Sequence, residues 1–254
     1  MFEALHPIDS QRIDVAAYLE QFCHLPGRGR PLPRCPFCGK GLAVIGHGVQ
    51  AAGGRFEHLS ESEFCPSRTA AGRSYLSLTP VTPDPQGALA MRRAFKAKWE
   101  LHYSQLEFLV PMLHHEEFLE LLGLADRLRV WEHTGLTDGL IPYVLVALTD
   151  FAPQSGRRYL NGMPRRRYWI RFLYDSTMRR IEALWESAGH RPELHRVAYE
   201  LPEEIGLPGP RHLLKSTLVP VDTGFIYLPA PPRAALPTVV PVVSAWFERH
   251  WPGV

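Results

Sequence analysis

Four residues in the first quarter of the chain carry the pattern that most constrains its fold. Cys35 and Cys38 are separated by two residues, and His58 and Cys65 follow further along the chain. A tight Cys-x-x-Cys turn lets two thiolates bind one ion, and three cysteines with one histidine are a common tetrahedral environment for structural zinc. Gly39 allows the backbone to turn back over the ion. The sequence therefore predicts a Zn²⁺ site formed by these four ligands.

Three other residues compete for a place among the ligands. Cys23 and His24 precede the Cys-x-x-Cys turn, and His47 lies in the segment that follows it. Cys23 has no second cysteine at close spacing, so we expect it to be buried or free. Because all four cysteines lie in the first quarter of the chain, a local metal site is favoured over a disulfide framework. The alternative interpretation is a small β unit with buried thiols and no metal.

The residues between the two pairs of ligands predict a short hairpin. Residues 42–45 read Leu-Ala-Val-Ile, which is typical of a strand, and residues 46–54 are rich in glycine. Arg55 and Phe56 would then return the chain so that His58 lies beside the cysteines. Ahead of the ligands, the pattern allows either a helix or a strand between residues 8 and 22.

This N-terminal segment resembles the zinc-ribbon-like module of CoiA-like competence proteins. The resemblance covers about residues 5–67 and rests on Cys-Pro-x-Cys-Gly at 35–39, the apolar strand, the glycine-rich return, Arg-Phe-x-His at 55–58 and the later Cys65. Arg55 stands where those proteins have the first histidine of a His-Phe-x-His motif. The resemblance implies a zinc module followed by a restriction-endonuclease-like domain, in bacterial DNA uptake, mobile-element or defence machinery.

The nuclease part of that implication has no counterpart in this sequence. Such a site needs an acidic residue and an acidic-x-Lys pair, so that carboxylates hold Mg²⁺ and the lysine stabilises the attacked phosphate. The chain has only four lysines, and the residues two positions before them are Cys38, Ala94, Lys96 and Leu213. A phosphate-binding glycine loop and a Gly-x-Ser-x-Gly elbow are also missing from the sequence. We therefore predict no catalytic residues.

Composition indicates a soluble chain of one or two domains. Its 254 residues are 45% hydrophobic and 21% charged, with a formal net charge of +2, so no strong overall field attracts nucleic acid. No N-terminal signal peptide is visible, and the longest apolar stretch, residues 140–148, is too short to span a bilayer. We expect a cytoplasmic protein without membrane contact.

We predict an α+β fold, in which a small zinc-ribbon-like β module precedes a mainly α-helical region with minor β structure. Residues 1–70 form the zinc-binding module, residues 71–87 a proline-rich linker, and residues 88–254 a mainly helical domain with a β-containing C-terminal part. This division rests on the cluster of prolines near residue 80, where the composition changes.

Within the second domain, apolar periodicity predicts helices over residues 112–133, 166–188 and 239–251. Residues 224–228 read as a strand. The polar run of residues 114–117, His-His-Glu-Glu, looks like a metal cluster. Because it lacks ligand pairs at helical i, i+3 or i+4 spacing, we interpret it as the charged start of a helix.

An arginine-rich stretch supplies the candidate binding surface. Of the 28 basic residues, 24 are arginine, which suits phosphate recognition but is also raised by GC-rich genomes. Residues 157–180 hold eight arginines, several aromatic residues and one acid, and such a mixture is typical of single-strand binding. Part of it also fits a helix with buried aromatics and a ladder of Arg171, Asp175 and Arg179. The predicted nucleic-acid contacts are the loop arginines Arg157, Arg158, Arg165, Arg166 and Arg167.

Two functions follow as hypotheses. The first is a non-catalytic, zinc-containing protein that associates with nucleic acid, with DNA favoured over RNA. The alternative is a protein-interaction subunit of a larger assembly, in which the zinc site is purely structural and the arginines pair with acids of a partner. A metal-dependent hydrolase is least favoured, because a Cys₃His site leaves no open position on the metal.

Overall fold

The computed structural model has a mixed α+β architecture, which confirms the predicted fold class. It describes residues 1–26, 29–46, 54–59, 65–68, 75–154, 165–186, 192–202, 206–209, 212–229 and 236–254. The strands are Glu3–Leu5 (β1), Arg12–Asp14 (β2), Leu42–Ile45 (β3), Arg55–His58 (β4), Trp169–Tyr174 (β5), Leu194–Tyr199 (β6) and Leu213–Val219 (β7). The α-helices are Val15–Phe22 (α1), Pro85–Ala97 (α2), Trp99–Leu109 (α3), His115–Arg127 (α4), Ile141–Leu145 (α5), Ala183–Glu186 (α6) and Val239–His250 (α7).

The strands form three small antiparallel sheets. β1 pairs with β2, β3 pairs with β4, and β5, β6 and β7 form a three-stranded sheet in that order. β2 leads directly into α1, and Asp14 caps this helix by accepting a 2.8 Å hydrogen bond from the amide of Ala17. The strand and the helix that compete in the sequence between residues 8 and 22 therefore both form, one after the other.

The larger hydrophobic core lies among α2, α3, α4, α5 and α7. Phe95 of α2 is fully buried, and its ring stacks on His102 of α3 at 4.5 Å and contacts Phe118 of α4 and Phe247 of α7. α4 and α7 confirm the helices predicted over residues 112–133 and 239–251. Within the described ranges, no helix is long and apolar enough to cross a membrane.

The three-stranded sheet is covered on both faces. Since side chains alternate across a strand, Phe172 and Tyr174 face the helices and join their core, whereas Leu173 points the opposite way. Val197 and Tyr199 continue this second face, which packs with side chains from residues 1–65 in a separate hydrophobic cluster. We call residues 1–68 the N-terminal module and this second face the module face. The sheet is thus a middle layer between the helices and the module.

The helix predicted over residues 166–188 is wrong for its first half. Residues 169–174 form β5, and in the described part of 175–188 only the short α6 is α-helical. Five of the six β5 side chains are buried, because both faces of the sheet are covered, so the strand lacks the alternating pattern of a half-exposed strand. The helical ion-pair ladder is wrong for the same reason. Arg171 pairs with Asp150 at 2.7 Å, and Asp175 accepts the amide of Glu193 at 2.7 Å.

The strand predicted over residues 224–228 is also wrong. Residues Gly224–Tyr227 form a short 3₁₀ helix. Asp222 starts this turn, because its carboxylate accepts a 2.7 Å hydrogen bond from the amide of Gly224, and such local bonds favour turns over strands.

Residues 75–84, which the sequence places in the linker, pack against the rest of the chain. The amide of Ser77 donates to the carbonyl of Arg179 at 2.8 Å, and the amide of Ile181 donates to the carbonyl of Ser77 at 3.0 Å. The carbonyl of Leu78 lies 3.0 Å from Nε2 of the buried His133. The boundaries proposed between module, linker and helical domain stay a prediction.

Packing on the module face should contribute measurably to stability. Leu173→Ala removes a side chain that is 1% exposed, so we expect the free energy of unfolding to fall by about 2–5 kcal/mol. The matched control is Leu218→Ala on β7, whose side chain is 52% exposed and should change stability by less than about 0.5 kcal/mol. Urea unfolding measures both. Equal effects of the two substitutions would contradict the layered packing.

Candidate metal centre

The Cys-x-x-Cys segment forms a compact turn closed by backbone hydrogen bonds. The amide of Gly39 donates to the carbonyl of Cys35 at 2.8 Å, and the amide of Cys35 donates to the carbonyl of Lys40 at 2.8 Å. Gly39 has a φ of 67°, a left-handed conformation that side chains with a Cβ disfavour. A Cβ at this position would meet no atom within 4 Å, so glycine is required by the backbone conformation rather than by crowding.

The hairpin of β3 and β4 delivers the third ligand to this turn. Leu42 lies opposite His58 in the register, and β3 begins only a few residues after Cys38. His58 is therefore returned to the Cys-x-x-Cys turn, as the sequence predicts. Cys65 directly precedes a short 3₁₀ helix, Pro66–Arg68, and the hydroxyl of Ser67 lies 3.1 Å from its sulfur atom.

The four predicted ligands converge. One ligand atom from each of Cys35, Cys38, His58 and Cys65 lies within 4.8 Å of all the others. Sγ of Cys35 is 3.6 Å from Sγ of Cys65, and Sγ of Cys38 is 3.4 Å from Nε2 of His58. A tetrahedral ion with bonds of about 2.3 Å to sulfur and 2.0 Å to nitrogen would separate such pairs by about 3.8 and 3.5 Å. The cluster can hold a metal ion with little rearrangement.

Burial makes the cluster a closed site. Cys35 is fully buried and Cys65 is 3% exposed, while Cys38 and His58 are half-buried. The cysteines are free rather than joined in disulfides, so the sulfur atoms are available as ligands. Four protein ligands complete a tetrahedron and leave no position for a reacting water, which is the arrangement of a structural rather than a catalytic metal.

Burial and mutual hydrogen bonds set the charges of the metal-free cluster. Burial raises the pKa of the Cys35 thiol, whereas hydrogen bonds from Cys35 and Cys38 hold the pKa of Cys65 far below its usual range. Burial by itself would lower the pKa of His58, but hydrogen bonds to Cys38 and Cys65 and their negative charge outweigh it and raise the pKa to about 9. Without metal, the protonated ring of His58 therefore lies beside the thiolate of Cys65. A bound cation would replace one proton of the His58 ring.

The competing ligands are not part of this cluster. Cys23 follows α1 and is exposed, and His24 is exposed beside it. Among the described residues, the cluster around Cys35 includes neither of them. His47 lies outside the described residues.

The cluster is joined to the sheet by contacts that the sequence does not indicate. The carbonyl of Phe37, between the two cysteines of the turn, accepts a 2.9 Å hydrogen bond from the amide of Ser176. The Phe37 ring packs edge-on against the ring of His195 at 5.2 Å between centroids. Phe37 is 1% exposed. An apolar residue inside a Cys-x-x-Cys turn is the one sequence signal that the turn packs against another surface.

The predicted nucleic-acid contacts differ in their exposure to solvent. Arg166 is 4% exposed; its guanidinium pairs with Glu117, donates to the carbonyl of Ala152 at 3.0 Å and lies over the ring of Phe151. Arg166 is therefore an internal residue, which contradicts its prediction as a surface contact. Arg167 is exposed and Arg165 half-buried, so both stay predicted contacts, whereas Arg157 and Arg158 lie outside the described residues.

His114 occupies the start of α4, as the interpretation of residues 114–117 requires. Its ring accepts from the amide of Glu116, and its own amide donates to the carboxylate of Glu117 at 2.9 Å, which together form a capping box. Ligand atoms of His114, His115 and Glu116 also lie within 4.8 Å of one another. Nδ1 of His114 already accepts a hydrogen bond from the amide of Glu116 in the cap, which supports the interpretation of this run as the charged start of a helix.

Comparisons of the chain with protein-family models, with curated proteins and with solved structures found no match. The resemblance to the CoiA-like module therefore stays a prediction carried by the cysteine and histidine pattern, and the function has to be argued from the cluster and its surroundings.

The shifted pKa of His58 gives a pH prediction for the metal-free protein. Its pKa of about 9 lies above the ordinary value of about 6.5, so the imidazolium–thiolate contact stabilises the metal-free fold fully below about pH 6.5. This contribution is lost as the pH rises through about 9. NMR titration of the His58 ring should give a midpoint near pH 9 without metal and no titration between pH 6.5 and 9 with metal bound. A midpoint near 6.5 without metal would contradict the contact.

Proposed function

We propose that the cluster binds one Zn²⁺ and that this ion serves a structural, non-catalytic role in a protein that associates with nucleic acid. The observation that carries the zinc assignment is the convergence of Cys35, Cys38, His58 and Cys65 within 4.8 Å of one another. Three thiolates and one imidazole in a tetrahedral arrangement match the preference of Zn²⁺, and iron–sulfur clusters take mostly cysteine. A reducing, cytoplasmic setting would keep the thiolates available.

The structural role follows from where the ligands lie. They join the Cys-x-x-Cys turn, the end of β4 and the start of the 3₁₀ helix at residue 66, so one ion would connect three separate segments of the module. Zinc-finger peptides gain about 10–16 kcal/mol from such an ion at neutral pH. Zinc would hold these segments together and so keep Phe37 in position against the sheet.

The zinc assignment predicts a stoichiometry of one ion per chain. His58→Ala removes one of the four ligands, so we expect zinc loss during dialysis and a lower melting temperature. A loss of about 3 kcal/mol would lower it by about 6–12 °C. Elemental analysis and thermal unfolding measure the two effects. Cys23→Ser is the matched control, because Cys23 is exposed and outside the cluster; zinc loss in both variants, or a folded wild type without metal, would overturn the assignment.

The nucleic-acid contact is proposed for Arg165, Arg167 and the neighbouring Tyr168. Arg167 is exposed, Tyr168 is 51% exposed, and neither arginine forms an ion pair within the part of the chain that the structure describes. An exposed guanidinium group beside an exposed ring favours the backbone and bases of a single strand. DNA is favoured over RNA, in DNA uptake, mobile-element or defence machinery, on the strength of the CoiA-like resemblance alone.

Salt-dependent binding tests this contact. The double substitution Arg165→Gln and Arg167→Gln should weaken binding of a mixed-sequence single-stranded oligonucleotide and make its salt dependence shallower, by about 0.7 per lost phosphate contact in the log–log slope. Arg249→Gln, an exposed arginine on α7, is the matched control and should leave the slope unchanged. Fluorescence anisotropy measures both. No binding by the wild type at low salt would favour the protein-interaction alternative and leave the zinc assignment intact.

A further inference from the structure

A cavity of about 560 Å³ opens between α4, α7 and the segment that follows α5. Its lining comes from one side of α4, from residues 149–151 and from two aromatic residues of α7, Trp246 and His250. Its size lies within the range of about 300–1,000 Å³ that is usual for small-ligand sites. The cavity is remote in sequence from the metal ligands, and its walls have a chemistry of their own.

Gly123 leaves the α4 wall of this cavity open. Glycine is among the least favourable residues within a helix. A Cβ at this position would meet, among the described residues, only Nη1 of Arg127 at 3.5 Å, which is an ordinary van der Waals distance. Crowding therefore does not require glycine at this point of the helix. What the missing side chain provides is room in the cavity.

The carboxylates at one end of the cavity are fixed by buried arginines. Arg166 pairs with Glu117 in the first turn of α4 and lies over the ring of Phe151, so Phe151 and its neighbour Asp150 lie at this end. The two oxygens of Asp150 accept from Nε and Nη2 of Arg171 at 2.8 and 2.7 Å. Because a carboxylate oxygen has two lone pairs, each can accept one further hydrogen bond. This acidic end suits a ligand group that donates hydrogen bonds.

The opposite end of the cavity is basic and aromatic. Arg127 is exposed and ends α4, so it lies about 15 Å along the helix axis from the acidic end. Nε1 of Trp251 donates to Asp126 at 2.9 Å, which brings the end of α7, and with it His250, to the same place. The ring of His250 stacks on Trp246 at 4.3 Å with 12° between the planes. A guanidinium group suits an oxyanion, and the stacked pair offers a flat surface to another ring.

One ligand has to meet these features together: hydrogen-bond donors at one end, a flat ring, and an anion at the other end. A free amino acid carries its amine and its carboxylate on one carbon atom, so it cannot reach both ends of the cavity. A nucleotide carries an amino group on the far edge of its base and a phosphate on its sugar. Bases stack on aromatic side chains, and carboxylates accept hydrogen bonds from base amino groups.

We propose that this cavity binds one nucleotide, with its base against Trp246 and His250, its amino group at Asp150 and its phosphate at Arg127. The nucleotide is either free in solution or one unit of a single strand, and only the second case rests on the nucleic-acid contact proposed above. Adenine and cytosine are preferred over uracil and thymine, which lack the amino group and present carbonyl oxygens to the carboxylate of Asp150.

Calorimetric titration of adenosine monophosphate into the full-length protein tests this site. Gly123→Leu should abolish binding by filling the cavity, and it should preserve α4 because leucine favours a helix more than glycine does. Trp246→Leu should weaken binding about fivefold or more through lost stacking. Arg127→Gln should weaken it about tenfold or more and leave the affinity for adenosine, which has no phosphate, unchanged.

Arg249→Gln is the matched control, because Arg249 is exposed on α7 and outside the lining, and its affinity should equal that of the wild type. Uridine monophosphate should bind more weakly than adenosine monophosphate. Circular dichroism and thermal unfolding confirm that each variant is folded. Wild type that does not bind adenosine monophosphate, or that binds it as Gly123→Leu does, overturns the cavity assignment. An equal loss of adenosine in Arg127→Gln overturns the position of the phosphate.

A second arm measures a single-stranded deoxyadenylate oligonucleotide by fluorescence anisotropy. Weaker oligonucleotide binding in Gly123→Leu identifies a base within a strand, whereas unchanged oligonucleotide binding with lost binding of adenosine monophosphate identifies a free nucleotide. Wild type that binds adenosine monophosphate but no oligonucleotide overturns the nucleic-acid contact of Arg165 and Arg167 and leaves the cavity assignment standing. Oligonucleotide binding without any binding of adenosine monophosphate has the reverse meaning.

Discussion

The need to cover both faces of the β5–β6–β7 sheet organises the rest of the structure. Phe172 and Tyr174 on one face and Leu173 on the other are all nearly or fully buried, so neither face can be left to water without losing several large apolar contacts. The helices cover one face with an extensive core. The other face is covered by the N-terminal module, whose own strands are three or four residues long.

The module is small, so a metal ion at its four clustered side chains would add to the stability that its own apolar core provides. Small units of this kind usually need a metal or disulfides to hold them together. The Cys-x-x-Cys turn places Phe37 against His195 of the sheet, so the segment that carries two of the candidate ligands also contacts the surface that the module covers. A metal ion bound by the cluster would therefore be linked to the packing of the middle layer through this one turn.

The number of arginines in the basic stretch overestimates its exposed positive charge, because two of them, Arg166 and Arg171, are buried. Arg166 pairs with Glu117 of α4, and Arg171 pairs with Asp150. The first pair joins the residues before β5 to α4, and the second joins β5 to the segment after α5. A buried charge of this kind is strongly destabilising when its partner is removed. In this stretch Arg166 and Arg171 are internal, and Arg165 and Arg167 remain the candidates for binding.

The sequence by itself predicted the four residues that converge in the candidate metal centre, because Cys-x-x-Cys, the apolar residues 42–45 and the returning His58 are local features whose spacing fixes their geometry. It also determined α4 and α7, whose apolar periodicity is strong. Only the tertiary structure decided that residues 169–174 are a strand, since a strand buried on both faces has no alternating pattern to read. It alone placed Arg166 inside and put Phe151 in the wall of a cavity with Arg127 and Trp246. Those outcomes depend on partners distant in the chain, and their positions follow from layer packing rather than from local spacing.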